Sequence, residues 1–228
     1  MRFVERTGST NADLLANAAA PDGEWLVALE QQDGRGRQGR EWTSPPGNFY
    51  GSTLIAFGPN DPPAQALSLA AGIALIRAVE AAAPATGLML KWPNDLLLGA
   101  GKLGGILLER SGDRIVAGFG VNLAAAPDFA DRPTAALSSV SLVSPESFAP
   151  LLAASMDRAM NLWRSDLESL RSMWLESAHP LGTRLTVHGG DGELVAGRFE
   201  GLEPDGALRL RTDDGQLRTL HAGDVSLG

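Results

Sequence analysis

Between residues 87 and 123 the chain carries three apolar runs in close succession, "GLMLKW", "KLGGILLER" and "RIVAGFGVNL". Short glycine-bearing turns separate them, and such turns join strands that lie side by side and run in opposite directions. The rest of the chain must therefore wrap around an antiparallel sheet.

Signals on either side extend that sheet. "RFVERTG", "EWLVALEQQ" and "FYGSTLIAF" read as strands. "STNADLLANAAA" reads as a helix with Ser9 or Thr10 at its N-cap, where a side-chain oxygen accepts from the first turn. Pro62 and Pro63 open a second helix that runs to about Ala83, with Leu67, Ala71, Ala74, Leu75 and Val79 as its apolar stripe. Residues 145 to 178 read as helical. Leu151, Leu152, Met156, Met160, Leu162, Trp163, Leu167, Leu170 and Trp174 keep helical spacing there and are core candidates. Composition shifts at "HPLGT". From Leu181 to Gly228 short alternating strands are separated by "GGDG", "EPDG" and "DDG". The expected fold class is α+β: a mixed sheet with helices in residues 1–178, then a small antiparallel β-barrel in residues 179–228.

Composition removes several chemistries. The net charge is −8, so a broad basic footprint for nucleic acid is absent. The chain has no cysteine, which excludes disulfides, thiolate nucleophiles and cysteine zinc sites. His179, His188 and His221 show no metal-ligand spacing and read as surface or packing residues, so no protein metal cage is expected. "RFVERTG" after Met1 has no apolar signal core. The apolar run from Leu67 to Ile76 is too short to span a bilayer. A cytoplasmic protein with no membrane partner is the expectation.

Against that acidic background the loop from Gln32 to Asn48 stands out. Loops of this length in compact domains are usually functional or disordered. "DGRGRQGREW" sets Arg35, Arg37 and Arg40 among glycines. Guanidinium forks bind phosphate or carboxylate bidentately, and glycine lets backbone N–H groups approach as well. A local cluster in an acidic chain favours a small anionic ligand over a polyanion; a merely flexible basic loop is the alternative. The loop is neither a P-loop nor a dinucleotide fingerprint.

Lysine usage is the second signal. Lys91 and Lys102 are the only lysines, and both lie in "KWPNDLLLGAGKLGG". A compact ammonium does what a guanidinium fork cannot. Lys102 begins an apolar strand, which puts its charge at the strand's end, where it suits a transferring phosphoryl group. Asn94 and Asp95, after Pro93, suit a ligand or a plain turn. Asn122, after "GFGV", suits a base or ribose, or a strand cap.

"STN", "GRGRQGR", "KWPND", "KLGGIL" and "GFGVN", in this order and at these intervals, resemble the biotin–protein ligases across essentially the full length of the sequence. The family pattern often carries arginine where Gln38 stands; that costs one charge and leaves the other three. The resemblance implies the class II aminoacyl-tRNA synthetase/biotin ligase-like fold with an SH3-like C-terminal barrel. It implies a two-step reaction with ATP and biotin as substrates and Mg²⁺ as cofactor. The implied partner is the biotin carboxyl carrier domain of acetyl-CoA carboxylase or another biotin-dependent carboxylase.

By the same resemblance Lys102, Arg35 and Arg37 are catalytic, and Ser9, Thr10, Asn11 and Gln31 meet the ureido ring of biotin. Gly34, Arg35, Gly36, Arg37, Lys102 and Gly105 complete the biotin site. Arg37, Arg40, Trp42, Asn94, Asp95, Lys102, Gly118 and Asn122 form the adenylate site, and Gly105, Gly118 and Gly120 allow close approach. "STN" begins at residue 9, so the N-terminal DNA-binding domain of some family repressors is not expected. Monomer and homodimer both stay open. Competing readings are a non-catalytic biotin or nucleotide sensor, a lipoate–protein ligase, and a nucleic-acid binder using the arginine loop.

Overall fold

The computed structural model describes residues 1–84, 87–130, 132–189 and 192–227. The centre of the expected "GGDG" turn lies outside them. The larger unit is built on a seven-stranded sheet. Its strands are β1 (Arg2–Thr7), β2 (Trp25–Gln31), β3 (Phe49–Ala56), β4 (Leu88–Lys91), β5 (Asp95–Leu98), β6 (Gly101–Ser111) and β7 (Arg114–Val121). They lie in the order β1-β2-β3-β7-β6-β5-β4. β1 and β2 are parallel, and the other neighbours are antiparallel.

The sheet corrects one expectation. "GLMLKW" and "KLGGILLER" are not neighbours, because β5 lies between β4 and β6. "DLLL" is four residues long and shows no alternation, so nothing in its pattern separates it from a connection. Asp95 is the first residue of that strand, and residues 92–94 make the turn, with a cis Trp92–Pro93 bond.

Strand alternation sorts residues between the two faces. Ile115, Ala117, Phe119 and Val121 of β7 join the main core. That core lies under helices α2 (Leu67–Ala82), α3 (Pro145–Ser165) and α4 (Leu167–Glu176). Val116 points the other way and packs with Leu26, Leu54 and Leu14 of α1 (Thr10–Ala16). Ser9 caps α1 by accepting from Ala12 N at 3.5 Å. α1 has seven residues, about 10 Å of helix, and covers only part of this face. The same alternation turns Gly118 and Gly120 of β7, Gly105 and Leu107 of β6, and Tyr50 and Ser52 of β3 toward this face.

The helices differ from expectation in three ways. A 3-10 turn, Ala64–Ala66, precedes α2, and Leu69, Ala70, Ile73, Ile76 and Ala78 are buried alongside the expected stripe. Together Ala64–Ala82 makes 19 residues of mean hydropathy 1.4, long and apolar enough for a bilayer, contrary to the sequence reading. It is a core helix, with 67% of that window buried inside the protein. Residues 145–178 form two helices, because Asp166 ends α3 and caps α4 by accepting from Ser169 N at 3.0 Å. Trp163, Trp174, Leu152, Met156 and Leu170 are buried as expected, whereas Leu151, Met160, Leu162 and Leu167 are half-buried.

The second sheet comprises β8 (Arg184–His188), β9 (Leu194–Leu202), β10 (Leu208–Thr212), β11 (Leu217–Leu220) and β12 (Asp224–Leu227). Its order is β11-β10-β9-β8-β12, antiparallel throughout. Edge strands β11 and β12 do not pair among the described residues; the antiparallel strands expected here are present as a five-stranded sheet. Leu185, Val187, Phe199, Leu208 and Leu210 continue the main core, and Trp92 Nε1 donates to the Gly206 carbonyl at 3.0 Å. The two sheets therefore share one apolar interior. His179 is buried at this joint with its ring 4.5 Å from that of Phe199, the packing role read from the sequence.

Candidate functional site

Two rows of residues across the larger sheet run beneath a cavity of about 630 Å³, and Asp95, Gly105, Gly120, Leu107 and Gly118 among them line it. Small-molecule sites span roughly 300–1,000 Å³. In one row Asp95, Gly105, Gly120 and Tyr50 are successive strand partners; in the next, Leu107, Gly118 and Ser52. Glycine recurs here because side chains lie directly on the floor. A Cβ on Gly118 would collide with the Asn11 amide, and one on Gly120 with the Trp42 indole. At Gly105 a Cβ would stand 3.1 Å from Trp42 Cζ3 and 3.3 Å from Lys102 Nζ. Trp42 Nε1 is buried there and has no hydrogen-bond partner among the described residues.

Lys102 reaches this face through an irregularity. Strict alternation from Gly105 would turn it away. The register between β5 and β6 shifts so that Leu96 pairs with Gly104 but Leu97 pairs with Lys102. The extra residue, Leu103, is absorbed as a bulge, and a bulge re-aims its neighbours. Lys102 is thereby swung onto the cavity side.

One end of the cavity is charged. Lys102 Nζ lies 2.5 Å from Asp95 Oδ1, and Lys91 Nζ lies 3.4 Å from Asp95 Oδ2. Both lysines of the chain thus share one carboxylate. Lys91 also donates to the Val225 carbonyl at 3.2 Å, and Lys102 Nζ sits 5.4 Å from the Trp42 ring centre. From the arginine loop, Arg40 Nη2 meets both oxygens of Asp224, at 2.8 and 2.7 Å. Arg37 Nη1 donates to the Gly223 carbonyl at 3.0 Å and to Asn94 Oδ1 at 3.5 Å, and stands 3.7 Å from Asp224. Burial pushes the Arg37 guanidinium below its ordinary value, against the opposing pull of Asp224. It stays charged, as guanidinium does in proteins, so an incoming anion meets a partly desolvated cation.

The other end is polar and mostly uncharged. Thr10 N donates to Gln31 Oε1 at 2.9 Å, and Thr10 Oγ1 lies 2.6 Å from Ser52 Oγ. Ser52 Oγ donates to Asn11 Oδ1 at 2.6 Å. Asn11 Nδ2 donates to the Leu107 carbonyl at 3.2 Å and to Glu109 Oε2 at 2.7 Å.

The structure brings nearly all the sequence candidates together. Ser9, Thr10, Asn11, Gln31, Arg35, Gly36, Arg37, Arg40, Trp42, Asn94, Asp95, Lys102, Gly105, Gly118, Gly120 and Asn122 line the cavity. Gly34 does not. It packs behind the wall, where a Cβ would stand 2.7 Å from the Trp42 carbonyl oxygen and 3.1 Å from Gln31 Nε2, so its part is to let the loop fold tightly. Asn94 Nδ2 donates to the Ile106 carbonyl at 2.6 Å, and Asn122 Nδ2 to those of Lys102 and Ala135, at 3.3 and 3.1 Å. Both N–H groups of Asn122 and one of Asn94 are thus taken by the fold.

Residues that the sequence did not single out for the site include Lys91, Asp224 and Arg132 in the cavity lining, and Ser52 and Glu109 behind it. The rarity of lysine was a usable signal for Lys91. Asp224 offered none, since it stands 184 positions from Arg40.

Among the described residues no three side chains of His, Cys, Asp or Glu gather as a metal cage. Asp95 presents a single carboxylate to the cavity. That fits a Mg²⁺ ion carried in on phosphates, which commonly takes one or two carboxylates and keeps its waters.

The pattern of the biotin/lipoate A/B protein ligase family matches residues 2–124, and that of the biotin protein ligase C terminal domain matches residues 181–228. The sequence is 40% identical to a biotin–acetyl-CoA-carboxylase ligase of Paracoccus denitrificans, over 99% of this chain and 100% of the relative. It is 35% identical to one from Mycobacterium tuberculosis, over 97% of this chain and 86% of the relative. A solved biotin protein ligase from Aquifex aeolicus, in complex with biotin and ATP, has the same fold. Its TM-score is 0.87 at 23% identity, covering 100% of this chain and 97% of that one. With its paired sheets, its arginine loop and its bulged lysine strand, the chain belongs to the biotin/lipoate A/B protein ligase family.

Proposed function

We propose that the chain is a biotin–protein ligase that joins biotin to a lysine of a carboxylase. One observation carries the reading. A single cavity runs from a uncharged hydrogen-bonding end, suited to a urea, to a cationic end, suited to a carboxylate and phosphates. The chain around it is 40% identical over its length to a biotin–acetyl-CoA-carboxylase ligase.

In the first step an oxygen of the biotin carboxylate attacks the α-phosphorus of ATP, and pyrophosphate leaves. In the second the lysine amine of the acceptor attacks the acyl carbon of biotinyl-5′-AMP, and AMP leaves. The two reactants of the first step are both anions. Lys102, Arg35 and Arg37 offset that repulsion and hold them in line. When bound, Mg²⁺ neutralises phosphate charge and helps pyrophosphate to leave. Ser9, Thr10, Asn11 and Gln31 receive the ureido ring. A dithiolane would leave their polar groups unpaired, which favours biotin over lipoate. Trp42, Asn94, Asp95, Arg40 and Asn122 surround the nucleotide side; Gly118, expected there from the sequence, lies instead against Asn11 at the neutral end, and Gly36 and Gly105 give the ligand room.

The acceptor is the biotin carboxyl carrier domain of acetyl-CoA carboxylase or a related carboxylase. The chain divides into a catalytic unit, 1–178, and a C-terminal unit, 179–228, whose Asp224 reaches into the site. The reaction belongs in the cytoplasm, with its ATP.

The test is Mg²⁺-dependent exchange of pyrophosphate with ATP, without carrier protein, using biotin and lipoate in parallel. Exchange with biotin alone is expected. Exchange with lipoate alone would overturn the substrate, and no exchange by folded protein that binds biotin would make it a sensor.

A further inference from the structure

Ser52 and Glu109 stand behind the main cavity, yet they decide what Thr10 and Asn11 offer to it. The two acceptors around Asn11 Nδ2, the Leu107 carbonyl at 3.2 Å and a Glu109 carboxylate oxygen at 2.7 Å, fix the orientation of the amide. Neither of those groups donates. Both N–H groups of Asn11 are therefore taken, and its Oδ1 faces Ser52 Oγ at 2.6 Å as an acceptor. Ser52 has one hydroxyl proton and gives it there. The Thr10 proton has two acceptors, Ser52 Oγ at 2.6 Å and Gln31 Oε1 at 3.0 Å, and the shorter contact favours Ser52. With its proton there, no hydroxyl proton remains for the Gln31 contact. Two hydroxyls face three oxygen–oxygen contacts.

The hydrogen bonds thus run one way, from Thr10 through Ser52 and Asn11 to Glu109. They leave lone pairs of Thr10 and Gln31 side by side at the cavity wall. Two acceptors without a proton between them repel, and a ligand N–H placed there relieves the repulsion. We propose that Glu109 and Ser52 are positioning residues that set this direction, so that the neutral end of the cavity selects a ligand ring carrying N–H donors. The proposal rests on the biotin reading and deepens it: the group selected is a cyclic urea N–H in preference to an oxygen at the same place.

The test compares biotin with its two cyclic carbamate analogues, each with one ureido N–H replaced by oxygen. Their affinities are measured by calorimetry on the full chain and on folded Glu109→Gln and Ser52→Ala variants. In Glu109→Gln the new amide can donate to Asn11. Only the Leu107 carbonyl then holds the Asn11 amide, so its turned-over form becomes populated, the hydroxyls reverse, and the Thr10 proton fills the contact with Gln31. In Ser52→Ala the Thr10 proton loses that partner and turns to Gln31 Oε1, 3.0 Å away, which removes the facing pair of acceptors.

The unaltered protein should prefer biotin over at least one carbamate by roughly 100-fold or more, as sites built around a donor do. Each variant should cut that preference at least about tenfold. If Ser52 and Glu109 only hold Asn11 in place, both ligands weaken together and the ratio stays. An unchanged ratio in both variants overturns the proposal. So does an unaltered protein that binds biotin without discriminating against either carbamate. If the unaltered protein does not bind biotin at all, the biotin reading fails and the proposal falls with it.

Discussion

At the neutral end of the cavity, Thr10, Asn11, Gln31 and Ser52 sit on the first turn of α1 and on strands β2 and β3. Each is held by a neighbour within the same unit. At the charged end, Arg37 and Arg40 ride on a loop and are held by Asp224 from the other sheet, while Lys91 and Lys102 share Asp95. The first arrangement is fixed by regular structure and has no counter-charge to shed. The second is held by ion pairs whose carboxylates occupy places that a phosphate can take. The Arg40–Asp224 pair is half exposed, and exposed ion pairs contribute little, typically under about 1 kcal/mol, so at least this anchor can exchange partners. In the proposed function the rigid end recognises and the exchangeable end reacts.

The largest effect that would sharpen this contrast is expected from Lys102→Ala. Pyrophosphate exchange should fall by roughly 1,000-fold, the scale of losing a charge aimed at a developing anion. Biotin binding by calorimetry should fall far less, since Arg35 and Arg37 remain for its carboxylate. Equal loss of both would break the division of labour. Gly118→Ala attacks the other end, because the new methyl displaces Asn11. Lost or unsatisfied hydrogen bonds of about 1–3 kcal/mol each predict biotin binding weaker by roughly 10- to 100-fold. ATP binding measured alone should be untouched; a matching loss there would mean the ends are not independent. The smallest effect is expected from Asp224→Asn. Biotinyl-AMP should escape into solution less than about fivefold faster, in line with a half-exposed pair. A loss as deep as that of Lys102→Ala would show Asp224 to be part of the chemistry rather than an anchor.

Much of this site was legible because its residues travel in short, unusual runs. Three arginines among glycines mark an anion loop in an acidic chain, and the scarcity of lysine marks Lys102. The glycines of β6 and β7 announce a close approach without saying what approaches. What the sequence withheld depends on register and on distance along the chain. β5 was hidden because four apolar residues carry no period, and the bulge at Leu103 cannot be seen without the pairing of β5 with β6. Ser52 looks like any residue of an apolar strand until Gly118 is known to lie beside it. Asp224 and Glu109 are ordinary acidic residues whose partners are set by the tertiary fold. In the terminal unit, alternating strands with tight turns predict an antiparallel sheet, and whether its edges meet is a separate matter.

The pairing of Arg40 with Asp224 has a consequence for biosynthesis. Chains leave the ribosome at roughly 5–20 residues per second, N-terminal part first. The arginine loop emerges early, whereas its anchoring carboxylate follows 184 residues later. For roughly ten to forty seconds a nascent chain carries the cationic loop without the strand that holds it. The anion-handling half of the site therefore matures last, well after the segment that begins it has been made.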